Sequence, residues 1–305
     1  MENRFIYVDG KIIPWAEATV HIMSHSFARG SGIFEVLSLH ETKNGRAVFR
    51  LDEYLNRLAC SADFLSMKLP IPNEKITEAV YETVKANDIY EGIIKIMAYY
   101  PQIAADILPP SGSTLSISVA VFGPGDIAGS VSASFKEGVS LCGSRWSKLD
   151  PRSVPVEAKV AANYLNGMMG ALEARGRGFD RALMFDVGGF VAESSTSSIF
   201  MIKNGELLTP ETGTILKSIS RKSIIEVANA YAIPVKETKI TYDNLIKADE
   251  IFMTSTTGRV IPVVKFENVN LPGAKGPVSG KLHNYMERIR KGDDDRFAHW
   301  LFAVK

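Results

Sequence analysis

The sequence predicts an α/β (α+β) protein of two domains, on three observations. Strand-like and helix-like segments interleave in both halves of the chain. A breaker-rich stretch, Gly123-Pro124-Gly125-Asp126 followed by Gly129-Ser130, separates those halves. The 305 residues, 46% hydrophobic and 23% charged, suffice to bury two ordinary cores. The expected division is a smaller N-terminal α/β domain over residues 1–122, a linker over 123–130 and a larger domain over 131–305, with a ligand cleft between the domains.

Taken in order, residues 5–8, the favoured turn Asp9-Gly10 and residues 11–13 spell a hairpin. Residues 33–39 read as a strand. Leu51, Tyr54, Leu55, Leu58, Ala59, Ala62 and Leu65 then recur at three- and four-residue spacing, one face of a helix, and a second helix follows over 73–85. Strands are expected over 92–100 and 114–122. Beyond the breakers come a strand ending near Trp146, a helix over about 158–175 that Lys159 should open, and strands between 181 and 208. A helix over about 220–232, more strands and a short terminal helix complete the chain. The absence of internal repeats, heptads and low-complexity runs removes solenoid and scaffold architectures.

Lysine plus arginine number 35 against 34 acidic residues, so the net charge of +1 gives no reason to expect a nucleic acid or an anionic membrane as partner. Cys60 and Cys142 lie far apart without metal-ligand spacing, so neither a disulfide framework nor a metal site is expected, and a reducing cytoplasm fits. The first residues are charged and soon reach the Asp9-Gly10 turn, leaving no signal-peptide core, and no later segment reads as a membrane span.

Covalent amine chemistry needs a lysine that can lose its proton in partly desolvated surroundings. Lys159 is the candidate, in the largely uncharged run Pro155-Val156-Glu157-Ala158-Lys159-Val160-Ala161-Ala162-Asn163-Tyr164-Leu165. Alone, such a lysine is far more often a solvated surface charge. By the same standard Arg57 is a helix cation, Glu193 a solvated strand end, Ser220 a helix N-cap, Tyr164 a half-buried aromatic, and Ser255-Thr256-Thr257-Gly258 a turn after an apolar strand.

In combination, these segments resemble the class IV aminotransferases, the fold-type IV pyridoxal-phosphate enzymes with the two-domain, D-amino-acid aminotransferase-like fold. The resemblance rests on Arg57, the Lys159 run, Val191 to Phe200 with Glu193, Ile215 to Arg221, and Ala248 to Thr257, in matching order from near residue 5 to about 265. It implies that Lys159 holds pyridoxal 5'-phosphate covalently and then moves the proton between substrate and cofactor. Glu193 would pair with the pyridine nitrogen and Tyr164 with the phenolic oxygen. Arg57, Ile219, Ser220, Ser255 and Thr256 would hold the phosphate, by charge-assisted bonds and helix-terminal N–H groups.

The substrate is less sharply written. Met23-Ser24-His25-Ser26, Ile33-Phe34-Glu35 and the Lys159 run resemble branched-chain L-amino-acid transaminases. Glu35-Val36-Leu37, the serines after Glu193, Ile215-Leu216-Lys217 and Thr254 to Thr257 resemble D-amino-acid transaminases. Arg29 stands where branched-chain enzymes have a pocket tyrosine, Ile93 and Lys95 where they have a tyrosine and an arginine, and Val36 where they have a glycine. Val36 also replaces the threonine expected of aminodeoxychorismate lyases. The D-amino-acid enzymes' carboxylate-binding arginine and histidine are missing from Ala98-Tyr99-Tyr100-Pro101-Gln102. Arg29 reads either as a replacement anion trap or as a structural salt bridge, and Phe34, Ile93 and Met97 as the lining of an aliphatic pocket or as plain core. The turn amides around Thr256 and Thr257 would take the substrate carboxylate.

The expectation is a transaminase moving nitrogen from a branched-chain L-amino acid to a 2-oxo acid such as 2-oxoglutarate. A D-amino-acid transaminase, a lyase of the aminodeoxychorismate type and a non-catalytic cofactor-binding relative are the alternatives. The resemblance also implies a homodimer in which the Arg29 segment and the 103–110 loop complete the partner's pocket.

Overall fold

The computed structural model describes residues 3–126, 134–257 and 259–305, so residues 127–130 of the expected linker and Gly258 lie outside the described residues. The chain opens with β1 (Phe5–Val8) and β2 (Lys11–Pro14), joined by Asp9 and Gly10 at φ 47° and 91°. Two positive φ angles give the mirror-image turn whose twist matches that of paired strands. A short α1 (His25–Arg29) follows, then β3 (Ile33–Thr42), β4 (Gly45–Phe49), α2 (Leu51–Phe64) and α3 (Asn73–Asn87). Both long helices bury the stripe their spacing predicts: Leu51, Tyr54, Leu55, Leu58 and Ala62 on α2, and Ile76, Ala79, Val80 and Val84 on α3. Next come β5 (Gly92–Tyr99), β6 (Ser116–Phe122), β7 (Val139–Gly143), α4 (Tyr164–Gly176), β8 (Arg181–Phe185), β9 (Val191–Ser194), β10 (Ser198–Lys203) and β11 (Glu206–Thr209). The chain closes with α5 (Ile219–Ala230), β12 (Val235–Glu237), α6 (Tyr242–Ile246), β13 (Glu250–Thr254), β14 (Ile261–Phe266), β15 (Val269–Asn270), α7 (Pro277–Lys291) and β16 (Leu301–Ala303).

The described residues fall into two compact units. One contains residues 1–130, 158–162 and 289–305 and is built on a seven-stranded sheet in the order β16-β4-β3-β5-β6-β1-β2. The other contains residues 131–157 and 163–288 and is built on the order β12-β11-β10-β13-β14-β7-β8-β9, with β15 added beside β14. Its core joins Val139, Leu141, Leu183, Ile199, Met201, Ile251, Met253, Val263 and Phe266, most of them alternate residues of neighbouring strands. Among the described residues no helix is long and apolar enough to cross a membrane.

Two local expectations give way. Lys159 does not open a helix: Val160 bridges Ile33 of β3, Ala161 N–H donates to Gly32 O at 2.8 Å, and α4 begins only at Tyr164. The β-branched Val160 suits extended pairing, and strand partners outweigh the helix propensity of the alanines. The close pairing also needs Gly30, which ends α1 at φ 69° and sits where a Cβ would lie 3.0 Å from the Ala162 Cβ. The terminal helix is not short, because Leu282, Met286 and Ile289 bury a continuous stripe along the 15-residue α7.

Candidate active site

In the first unit β3 and β5 pair so that Phe34 opposes Met97, Val36 opposes Lys95 and Ser38 opposes Ile93. Directly opposed residues project from the same face of a sheet. Phe34, Val36, Ile93 and Lys95 therefore share one half-buried face, while Ile33, Glu35, Leu37 and Leu39 point into the buried one. Lys159 Nζ lies 5.0 Å from the Phe34 ring centroid and Lys95 Nζ lies 5.3 Å from it, so one aromatic ring is in cation–π range of both amines. The Lys159 backbone is fixed at both ends: its carbonyl accepts from Phe34 N–H at 3.1 Å, and its N–H donates to Ser61 Oγ at 3.0 Å.

Ser61 is on α2, one turn beyond Arg57. The Arg57 guanidinium grips the fully buried Glu35 with both prongs, Nε to Oε1 at 2.7 Å and one terminal nitrogen to Oε2 at 2.5 Å. Such bidentate pairing fixes the plane of the guanidinium. Lys95 differs, since no carboxylate among the described residues pairs with it, and burial pushes its ammonium pKa down. Arg29 is exposed at the end of α1 and donates to the carbonyls of Ala105 at 2.7 Å and Asp106 at 3.3 Å, which ties the α1 segment to the 103–110 loop.

In the second unit Glu193 is buried on β9, where its Oε1 lies 2.7 Å from Lys148 Nζ and accepts from Leu216 N–H at 3.4 Å. Ser218, not Ser220, caps α5, its hydroxyl accepting from Arg221 N–H at 3.2 Å. The N–H groups of Ile219 and Ser220 meet no acceptor among the described residues, which leaves a twelve-residue helix with an anion-ready start. Ser255 and Thr256 turn half-buried out of β13 and Thr257 is exposed. Tyr164, half-buried, opens α4, and that helix is held beside the end of β9 because Ser195 Oγ donates to Gly167 O at 2.7 Å.

Glu35, Ser61, Lys148 and Ser218 went unassigned in the sequence. Glu35 alone left a signal, a carboxylate at the strand parity of Ile33, Leu37 and Leu39. A held amine, a buried carboxylate with its own counter-cation and a helix start lacking acceptors are parts that an amino-transferring enzyme needs. They also fit pyridoxal 5'-phosphate, which presents an aldehyde to an amine, a basic ring nitrogen to a carboxylate and a phosphate to N–H groups.

The amino-transferase class IV model matches residues 32–266, and the chain belongs to that family of pyridoxal-phosphate enzymes. It is 31% identical to the branched-chain-amino-acid aminotransferase of Pseudomonas aeruginosa, over 98% of this chain and 97% of that one. It also matches the crystal structure of a branched-chain aminotransferase from Thermoproteus uzoniensis with norvaline, at TM-score 0.92 and 31% identity over 99% of both chains. The crystal structure of the Escherichia coli branched-chain amino acid aminotransferase matches at TM-score 0.93 and 28% identity, again over 99% of both chains.

Proposed function

We propose that this chain is a branched-chain-amino-acid aminotransferase that passes an amino group from a branched-chain L-amino acid to a 2-oxo acid such as 2-oxoglutarate. The observation that carries the reading is Lys159, pinned by Ser61 and Phe34 so that its amine stands over the Phe34 ring, on a face shared with Val36, Ile93 and Lys95. Full-length similarity to proteins bearing that name supports the substrate class.

Pyridoxal 5'-phosphate, when bound, supplies a ring that draws off the charge left at the substrate α-carbon. Lys159 would hold the cofactor at its aldehyde carbon, and its Nζ is the base that would carry the α-proton between substrate and cofactor. Glu193 would hold the protonated ring nitrogen and Tyr164 the phenolic oxygen. Arg57, the N–H groups of Ile219 and Ser220, and the hydroxyls of Ser255 and Thr256 would hold the phosphate. The aliphatic side chain lies against Phe34, Val36 and Ile93. Lys95 takes the second carboxylate of a dicarboxylic acceptor, and the turn at Thr256 and Thr257 takes the α-carboxylate.

Arg29 works through the chain's oligomer. Ile22, Met23, Phe27, Ile103, Ile107 and Leu108 are exposed large apolar side chains on the two segments that Arg29 joins, and a second copy of this chain is their partner. The setting is cytoplasmic.

The purified enzyme, given L-leucine or D-alanine with 2-oxoglutarate, is expected to form glutamate from L-leucine; turnover of D-alanine alone would overturn the substrate assignment. Lys159→Ala is expected to lower turnover by at least roughly 10²–10⁴-fold, the range for a positioned proton-transfer group, with an unchanged far-UV circular dichroism spectrum.

A further inference from the structure

Glu193 has the chemistry to hold a protonated ring nitrogen only while it stays ionised and correctly turned. It is 7% exposed, so water neither solvates it well nor fixes its orientation. Among the described residues it has two partners, and both are on Oε1: Lys148 Nζ at 2.7 Å and Leu216 N–H at 3.4 Å. The second contact is too long to orient a carboxylate by itself.

Lys148 lies beyond β7 in the charged segment 145–152, where sequence alone makes it one more surface cation. Its side chain is only 12% exposed. Its backbone N–H donates to Phe185 O at 2.8 Å, so the residue is stitched to β8, the strand that pairs antiparallel with β9. The lysine stem therefore starts from a fixed point on the neighbouring strand and delivers its ammonium to one oxygen of Glu193. Oε2 accepts from no described residue.

We infer that Lys148 is a positioning residue for the transamination reaction: it supplies the counter-charge and the orientation that commit Glu193 Oε1, leaving Oε2 to the ring N–H of pyridoxal 5'-phosphate. The inference rests on the reading that Glu193 binds that nitrogen. Removing Lys148 alone strands a buried carboxylate and costs stability whatever the lysine's role, so the cofactor's ring nitrogen, not stability, separates the two roles. A lysine kept solely for folding would leave the cofactor's protonation state untouched when replaced. A lysine that fixes Glu193 would not, because the buried carboxylate would then keep a single long N–H contact and nothing would hold Oε2 toward the ring nitrogen.

The test uses the holoenzyme carrying pyridoxal phosphate labelled with ¹⁵N in the ring, together with fluorescence titration of cofactor-free protein, for Lys148→Met, Lys148→Arg and Glu193→Gln. At neutral pH the wild type and Lys148→Arg are expected to show the protonated ring-nitrogen signal, and Lys148→Met to shift toward the unprotonated one. The cofactor Kd of Lys148→Met is expected to rise on the order of 10-fold, the scale on which directly binding groups lose function without their orienting partners. Should Lys148→Met not fold, Lys148→Gln keeps a donor without the charge and is expected to shift the signal in the same sense.

A protonated nitrogen and wild-type affinity in Lys148→Met, with both altered in Glu193→Gln, would overturn the role of Lys148 and leave that of Glu193 standing. An unaltered nitrogen in Glu193→Gln would remove the reading of Glu193, and the inference with it.

Discussion

Lys95 is a half-buried ammonium with no carboxylate opposite it among the described residues, and desolvation depresses its pKa from the ordinary 10.5. The unfolded chain therefore binds more protons than the folded one between the two values, and stability contributed at this site rises with pH through that window. Well below it both states are charged, and the burial penalty is felt in full. Lys95→Met is thus expected to raise the urea midpoint at neutral pH, with the gain shrinking as pH approaches 10.5. The same variant is expected to raise KM for 2-oxoglutarate on the order of 10-fold, equivalent to ~1.4 kcal/mol, with little change for L-leucine. Glu35 behaves oppositely, because Arg57 already satisfies both its oxygens. Glu35→Ala would take the bidentate carboxylate from the largely buried Arg57, and urea unfolding should show a loss of about 3–5 kcal/mol. Weaker cofactor retention on dialysis should accompany that loss.

At the scale of elements, the second unit depends on how closely α4 approaches the end of β9. A Cβ at Gly167 would meet Ser195 O at 2.8 Å and Ser195 Cα at 3.1 Å, both backbone atoms that cannot swing aside. Gly167→Ala must therefore displace α4 from the residues after Glu193, and overpacking of this kind costs about 1–3 kcal/mol. Thermal unfolding should record a lower midpoint, and the altered spacing between Tyr164 and Glu193 should lower kcat in the folded fraction. Other elements need less exact partners. The β1–β2 hairpin, α2 and α3 follow from turn chemistry and an apolar stripe, and they stand where the spacing put them. The β4 and β16 strands carried no comparable signal. β16 is three residues long and pairs with β4 through Leu301, Phe302 and Ala303, an edge partnership made by sheet register.

For the whole molecule, the proposed dimer is tested at the apolar side chains of the α1 segment and the 103–110 loop. Exposures of 68% for Ile22, 70% for Phe27, 72% for Ile107 and 70% for Leu108 are high for a cluster on two segments tied by Arg29 and by the Ser24–Ile103 bridge. Light scattering after size exclusion is expected to give twice the chain mass. Ile107→Asp with Leu108→Asp should give a folded monomer, and a dimer unaffected by that pair of charges would place the contact elsewhere. The sequence by itself made the class of chemistry legible, through the order of the Lys159 run, Glu193 and the serine turns that resembles the class IV aminotransferases, and it marked those elements that carry turn residues or an apolar stripe. Only the tertiary structure decided that residues 158–162 and 289–305 cluster with the first 130, that Lys159 sits on an extended bridge to β3 instead of opening a helix, and that Arg57 turns to Glu35 and Glu193 to Lys148. Those pairings join side chains from different elements, and no propensity or spacing along the chain encodes which strand edge a distant lysine will be stitched to. Register and burial choose the partner, because a charge taken out of water must find its counter-charge wherever the packed fold has placed one.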